Sequence, residues 1–187
     1  MTASQPAPAA AASVPAADPS PTGTIAVEGG TATLTFRRRL PHPIEAVWAA
    51  IADPTERAAW FGTTKIEPRV GGLIEMDPED PPAPRDLKYM SGRILAWEPP
   101  CVLEHEWRQT IVGQGVVRYE LAPDGADATI LTFTHRGLSV PNARGFIPGT
   151  HAYLDRLAAH LAGDPLPGWQ ERYDALAPLY SGSWTPR

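Results

Sequence analysis

Residues 36–54 read FRRRLPHPIEAVWAAIADP, and within this stretch the hydrophobic pattern changes from the period of a strand to that of a helix. The alternation of apolar and polar residues over 31–40 predicts a β-strand. Pro43 suits the first position of a helix. The apolar side chains that follow recur at helical spacing and are Ile44, Val47, Trp48 and Ile51. The sequence therefore predicts a long strand followed at once by a short amphipathic helix.

A second short helix is predicted directly after the first. Asp53 and Glu56 have the spacing of a capping box, in which the first side chain accepts from the backbone of the new turn and the second reaches back. Gly62 follows Trp60 and Phe61 and is expected to stop this helix. Two short helices should therefore follow the long strand.

From residue 64 to residue 136 the sequence reads as short strands separated by turn residues. Glycine and proline mark the turns, as at Gly71–Gly72 and in the proline-rich loop 78–84. Strands are predicted near residues 64–69, 72–77, 88–98, 101–109, 114–122 and 128–136, after an earlier short strand at 24–27. A meander of such strands is typical of an antiparallel sheet.

One long helix is expected to close the domain, beginning after Pro148–Gly149 and ending at Gly163. Its apolar face is predicted to pack on the sheet and contains Ile147, His151, Leu154, Leu157, Ala158 and Leu161. Apolar residues at helical spacing recur between 169 and 180, where a short amphipathic helix is predicted to dock.

These patterns divide the chain into three parts. Residues 1–22 are rich in Ala, Pro and Ser and lack apolar periodicity, so a disordered leader is predicted. Residues 23–163 should form one domain. Residues 164–187 should form an extension that carries the short amphipathic helix.

Composition and charge argue against several classes of protein. The net charge of −5 provides no basic surface for nucleic acid or anionic lipid. No run of about 18 apolar residues occurs, so no membrane span is predicted. Cys101 is the only cysteine, which excludes an intrachain disulfide and favours a reducing compartment. Because the leader also lacks the features of a signal peptide, the predicted location is cytoplasmic.

The order of the elements and several local strings resemble the Hsp90-ATPase-activator-like branch of the START-like (SRPBCC) superfamily. These strings occur in the family's order and are residues 36–54, Trp60–Phe61, Gly71–Gly72, 92–100, 103–107 and 132–135. The resemblance covers residues 24–163 and implies an α+β helix-grip fold, in which a curved antiparallel sheet wraps around the long carboxy-terminal helix. Where the family often has Gly-Trp-His near that helix, this chain has Gly149, Thr150 and His151.

For function the resemblance implies a class rather than a reaction, because proteins of this kind include lipid and hormone carriers and polyketide cyclases. The leading interpretation is a small-molecule-binding domain that encloses a mainly hydrophobic ligand between the sheet and the long helix. A cyclase or dehydratase that performs acid–base chemistry in the same cavity is one alternative. A co-chaperone of the Hsp90 type, or another partner-binding protein, is a second. A homodimer is left open.

The candidate ligand-binding residues lie on the predicted inner faces of these elements. Strand periodicity places His105 with Trp107, and Phe133 with His135, on apolar faces. The full set is Trp60, Phe61, His105, Trp107, Tyr119, Phe133, His135, His151, Leu154 and Ala158, of which the first two are expected to form a lid. For each polar member the alternative is a hydrogen-bonded core or rim group.

No catalytic residue, cofactor or metal site is predicted. The five histidines form no HxH or HExxH motif, and there is no cysteine cluster that would bind zinc. No serine lies in a Gly-x-Ser-x-Gly setting. The pattern therefore favours a binding cavity over a recognisable catalytic centre.

Overall fold

The computed structural model describes residues 21–182, which contain one eight-stranded antiparallel sheet. The strands are β1 (Thr24–Glu28), β2 (Thr31–Leu40), β3 (Gly62–Ile66), β4 (Leu73–Pro78), β5 (Met90–Glu98), β6 (Val102–Gln109), β7 (Gly113–Pro123) and β8 (Thr129–Ser139). They lie side by side in the order β1-β2-β8-β7-β6-β5-β4-β3. Apart from residues 21 and 22, the leader predicted to be disordered lies outside the described residues.

Helices cover the inner face of this curved sheet. They are α1 (Ile44–Ala52), α2 (Pro54–Trp60), α3 (Arg85–Lys88), α4 (Val140–Ala162) and α5 (Trp169–Leu176), followed by a 3₁₀ turn (Ala177–Tyr180). The long helix α4 packs on β2 and β8, and α1 and α2 contact it from the side. The α+β helix-grip fold that the sequence predicts is therefore confirmed.

Residues 36–54 form the end of the strand and the helix that their hydrophobic pattern predicts. Along β2, Leu34 and Phe36 are buried, while the helical stripe of α1 buries Val47 and Ile51 in the same core. Strand and helix thus cover opposite sides of one hydrophobic layer.

The junction between α1 and α2 follows half of the predicted capping box. The Asp53 carboxylate accepts hydrogen bonds from the backbone N–H groups of Thr55 and Glu56 at 2.8 and 3.1 Å. Glu56 does not reach back to the cap, because its carboxylate lies 2.9 Å from Nε2 of His160 on α4. The cap therefore starts α2, and Glu56 connects α2 to α4.

The long helix begins earlier than predicted. Ser139 caps α4 by accepting from the backbone of its first turn at 3.3 Å, and Pro141 occupies that turn. A serine cap followed by proline is a strong helix start, since the cap satisfies a free N–H and proline has none to satisfy. Pro148, which the sequence suggested as the start, lies inside the helix. Gly163, with φ +71°, ends it as expected.

Candidate ligand-binding cavity

The sheet, α4 and the segment between β4 and β5 enclose a cavity of about 520 Å³. Its floor is formed by β6, β7 and β8, whose inward side chains include Trp107, Tyr119, Phe133 and His135. Tyr119 and Phe133 are direct cross-strand partners, and their rings are 5.1 Å apart. Period-two alternation on adjacent strands therefore brings these four predicted residues to one surface.

The end of α2 closes one side of the cavity. Trp60 and Phe61 both line it and are only 1% and 6% exposed. Trp60 is fixed because its indole N–H donates to the Ala50 carbonyl at 2.8 Å. The structure thus places both residues in the fixed wall, whereas the sequence suggested a lid.

Helix α4 supplies a wall of alternating small and aromatic residues. Gly145, Phe146, Gly149 and Tyr153 recur at helical spacing and all line the cavity. Gly145 is exposed at the rim, and a Cβ added there would meet no atom within 4 Å. At Gly149 a Cβ would lie 3.0 Å from the Trp169 ring. This face was not predicted from the sequence because the helix was expected to begin after Pro148, whereas the Ser139 cap marks its true start.

The segment 78–89 covers the mouth of the cavity. The Tyr153 hydroxyl donates to the Asp80 carbonyl at 2.7 Å and holds the segment to α4. From the sheet, Gln109 donates to the Leu87 carbonyl at 2.7 Å. Segment 78–89 therefore forms a lid held by hydrogen bonds from both sides.

The carboxy-terminal extension completes the wall. Trp169 and Tyr173 of α5 line the cavity, and their rings stack at 5.1 Å. Arg172, on the same helix, donates to the Asp155 carboxylate of α4 at 2.6 Å. The amphipathic helix predicted in the extension thus docks on the domain and contributes to the site.

His135 is a buried polar group that lines the cavity. Its side chain is 1% exposed, and its ring lies 5.0 Å from Trp107 and 5.7 Å from Phe146. Nε2 has no hydrogen-bond partner among residues 21–182. Burial, with a smaller contribution from His105, lowers the pKa of His135 to about 3. The imidazole is therefore neutral and able to hydrogen-bond to a molecule in the cavity.

His105 lies on the same buried face of β6 as Trp107 but does not line the cavity. Its ring is 6.2 and 6.5 Å from the rings of Trp107 and Tyr119, and its Nδ1 lies 2.8 Å from the Glu106 carbonyl. Burial lowers the pKa of His105 to about 4. The neutral ring therefore supports the floor residues.

Arg57 is a buried cation that the sequence analysis missed. It is 0% exposed and donates to the Ile51 carbonyl at 2.8 Å and to the Tyr119 hydroxyl at 3.0 Å. Arg57, Trp60 and Phe61 occupy positions i, i+3 and i+4 of the α2 turn, which places them on one face. That spacing was the available signal, but a charged side chain is rarely expected in a core.

His151 lies on the face of α4 opposite the cavity. Its Nδ1 is 2.6 Å from the Tyr180 hydroxyl, and its Nε2 is 3.6 Å from the Asp155 carboxylate. The ring contacts Phe36 of β2 edge-on. The placement of His151 in the cavity is therefore corrected: the helical stripe does face the sheet, but it meets β2 rather than the open volume.

The cavity thus brings together most of the predicted site. Seven candidate residues line it, namely Trp60, Phe61, Trp107, Tyr119, Phe133, His135 and Leu154. His105, His151 and Ala158 are outside this lining. Ala158 packs at the edge of the hydrophobic core.

Residues 21–182 contain no group of three or more His, Cys, Asp or Glu side chains placed to bind a metal ion. None of the helices described is long and apolar enough to cross a membrane.

Comparison with known proteins identifies relatives of this fold. A family model described as activator of Hsp90 ATPase homolog 1-like protein matches residues 41–162. No curated protein matches the sequence. The match covers α1 to α4 and therefore most of the cavity, whereas β1, β2 and α5 lie outside it.

Solved structures of similar proteins cover between 73% and 88% of the chain. CalU16 from Micromonospora echinospora is 27% identical over 86% of this chain and 98% of its own, with a TM-score of 0.65. The protein encoded by BPP1335 of Bordetella parapertussis is 27% identical over 88% and 91%, also with a TM-score of 0.65. DynU16, from the dynemicin biosynthetic locus, is 26% identical over 73% of this chain and 49% of its own, with a TM-score of 0.62.

Proposed function

The chain belongs to the family of activator of Hsp90 ATPase homolog 1-like proteins, of the START-like superfamily, and we propose that it is a binding protein for a mainly apolar small molecule. The molecule occupies the cavity between the curved sheet and α4. The observation that carries the proposal is the open volume of about 520 Å³ between the sheet, α4 and segment 78–89.

A cavity of this size is costly for a protein to maintain without a use. Protein interiors are close-packed and contain few voids larger than a water molecule. Unfilled volume destabilises a core because the lining atoms lose contacts. Small-molecule sites typically enclose about 300–1,000 Å³. The volume therefore supports a ligand-binding role.

The lining also supports an apolar ligand with few polar attachment points. The floor is mainly aromatic and α4 adds Phe146 and Tyr153, and aromatic rings provide large apolar contact areas. Among the floor residues, His135 and Tyr119 carry polar groups. A few polar groups in an apolar wall are what orients a ligand in such sites.

Binding accounts for His135 better than acid–base catalysis does. A general base works best when its pKa is near the working pH. Burial holds the pKa of His135 at about 3, so the ring is a weak base at neutral pH. A neutral ring that exchanges hydrogen bonds with a ligand agrees with this environment.

One relative also favours a small organic molecule over a protein partner. DynU16 comes from a biosynthetic locus and shares 26% identity with this chain. This agrees with an enclosed cavity rather than an exposed docking surface as the working part of the fold.

Native mass spectrometry of protein purified from its own source tests the proposal. We expect a population heavier than the polypeptide by the mass of one small molecule, which is lost on denaturation. A sample that carries only the polypeptide mass, and that remains so after incubation with an extract of small molecules from that source, would contradict the proposal.

A further inference from the structure

Arg57 is a positive charge in the core with no carboxylate partner among residues 21–182. Its side chain is 0% exposed, and its hydrogen-bond acceptors are the Ile51 carbonyl, the Tyr119 hydroxyl and the Met76 sulfur. Nε has no partner among these residues. Buried charges in proteins are usually paired, because removing an ion from water is costly. The environment of Arg57 therefore lacks a counter-charge.

The guanidinium lies directly behind the cavity wall. Its central carbon is 5.1 Å from the ring centre of Phe61, 5.3 Å from that of Tyr119 and 5.6 Å from that of Trp60. All three rings line the cavity. In a water-poor interior the field of a unit charge extends past one ring with little screening. Arg57 therefore places a positive charge behind this end of the cavity, whose lining also includes Lys88 and Asp80.

Tyr119 connects this charge to the cavity. Its oxygen accepts a hydrogen bond from Nη2 of Arg57 at 3.0 Å. A tyrosine hydroxyl also has one proton to donate, and among residues 21–182 the Arg57 guanidinium is the group that hydrogen-bonds to this hydroxyl, as its donor. Tyr119 therefore offers a hydrogen-bond donor that a cation polarises from behind.

Building on the proposed binding function, we propose that the cavity selects apolar molecules that carry one acidic oxygen group, such as a carboxylate, sulfonate or phenolate. The acidic group accepts a hydrogen bond from Tyr119, and Arg57 supplies the counter-charge. The net charge of the protein is −5, so its surface as a whole does not attract anions. Selection for an anion would therefore arise inside the cavity.

Two fluorescent probes separate this inference from simple apolar binding. N-phenyl-1-naphthylamine is neutral, and 8-anilino-1-naphthalenesulfonate is the same molecule with one sulfonate added. A neutral apolar cavity prefers the uncharged probe, because the sulfonate must leave water. We expect the opposite order here, with the sulfonate bound at least tenfold more tightly.

Substitutions then locate the source of this preference. Arg57→Met removes the charge but keeps a long apolar side chain, and we expect it to weaken sulfonate binding at least tenfold while changing neutral-probe binding less than threefold. Arg57→Lys keeps a charge and should retain part of the preference. Tyr119→Phe keeps the ring and removes the donor, so it should also weaken the sulfonate selectively. Circular dichroism checks that each variant is folded.

The outcomes distinguish the two proposals. If neither probe binds the wild-type protein, the proposed binding function fails. If the neutral probe binds as well as the sulfonate or better, the binding function stands and the preference for an acidic group is overturned. The preference is also overturned if Arg57→Met lowers the affinity for both probes equally. If Arg57→Met does not fold, the preference is judged from two other results. These are the ratio of the affinities of the wild-type protein for the two probes, and the effect of Tyr119→Phe on sulfonate binding.

Discussion

The hydroxyl of Tyr180 lies 2.6 Å from Nδ1 of His151 and joins the carboxy-terminal extension to α4. The same hydroxyl accepts a hydrogen bond from the backbone N–H of Gly23 at 3.0 Å. The Asp155 carboxylate lies 3.6 Å from Nε2 of His151 and favours the tautomer with the proton on Nε2, in which Nδ1 accepts from the Tyr180 hydroxyl. Through Tyr180, His151 thus connects both ends of the described chain to α4.

We expect His151→Leu to lower the free energy of unfolding by about 1–3 kcal/mol, because Tyr180 and Asp155 lose a buried partner. Binding of a ligand in the cavity should not change, since His151 faces β2. Urea denaturation and probe titration measure the two effects. His160→Leu is the matched control on the same helix; His160 forms only a partly exposed ion pair with Glu56, so its loss should cost under about 1 kcal/mol. Equal stability of His151→Leu and the wild type would contradict this role.

Three buried histidines should make the protein less stable in mild acid. Burial lowers the pKa of His105 and His151 to about 4 and that of His135 to about 3, from an ordinary value of 6.5. Below pH 6.5 the unfolded chain therefore binds protons that the folded protein does not. Stability is full above that pH and is lost as the pH falls towards the folded-state pKa values.

Urea denaturation at several pH values measures this loss. Between pH 6.5 and its folded-state pKa, each of these histidines lowers the free energy of unfolding by up to about 1.4 kcal/mol per pH unit. His151→Leu removes one of the three groups and should reduce the slope by about one third. A free energy of unfolding that stays constant between about pH 7 and about pH 5 would show that the histidines are not buried as described.

Gly145→Ala should raise the free energy of unfolding by about 0.5–1 kcal/mol, because alanine has the higher helix propensity and the added methyl group meets no atom within 4 Å. Thermal denaturation measures the change. Gly149→Ala is the comparison, since its methyl group would lie 3.0 Å from the Trp169 ring and should give a smaller gain or a loss. If both variants are destabilised alike, the open volume beside Gly145 is not present.

Tyr153→Phe should loosen the lid, because it removes the hydrogen bond from the Tyr153 hydroxyl to the Asp80 carbonyl. A hydrogen bond of about 1 kcal/mol corresponds to a roughly fivefold faster release of a bound probe. Stopped-flow displacement of N-phenyl-1-naphthylamine measures the release rate. Tyr173→Phe removes a hydroxyl from the same cavity without touching the lid and should leave the rate unchanged. Identical rates in both variants would show that segment 78–89 does not control release.

Much of the fold could be predicted from the sequence because its signals are local. The change of period at residues 36–54 and the turn residues after them define the strand, the two helices and the meander. The start of α4 could not be read correctly because Pro148–Gly149 resembles a turn, while the Ser139 cap follows directly on a strand. A capping residue and a helix-breaking proline can each suggest where a helix begins, and tertiary packing decides which of the two is right.

The part of the site that could be predicted is the part that depends on the alternation of side chains along the strands. Alternation on β6, β7 and β8 brings Trp107, Tyr119 and His135 to the cavity, as expected from period two. The role of His151 depends on Tyr180, which is distant in sequence, so no local pattern reveals it. Arg57 was missed for a different reason, since a charged residue in a short helix is normally expected to face water.

The central claim, that the cavity binds an apolar small molecule, is tested most directly by filling it. N-phenyl-1-naphthylamine is titrated into the wild-type protein, Gly145→Ala and Gly145→Phe, and its fluorescence is followed. We expect saturable binding to the wild type and to Gly145→Ala, and at least a tenfold loss of affinity in Gly145→Phe, whose ring is added at the rim of the cavity. Binding that is unchanged in a folded Gly145→Phe, or absent from the wild type, would contradict the claim.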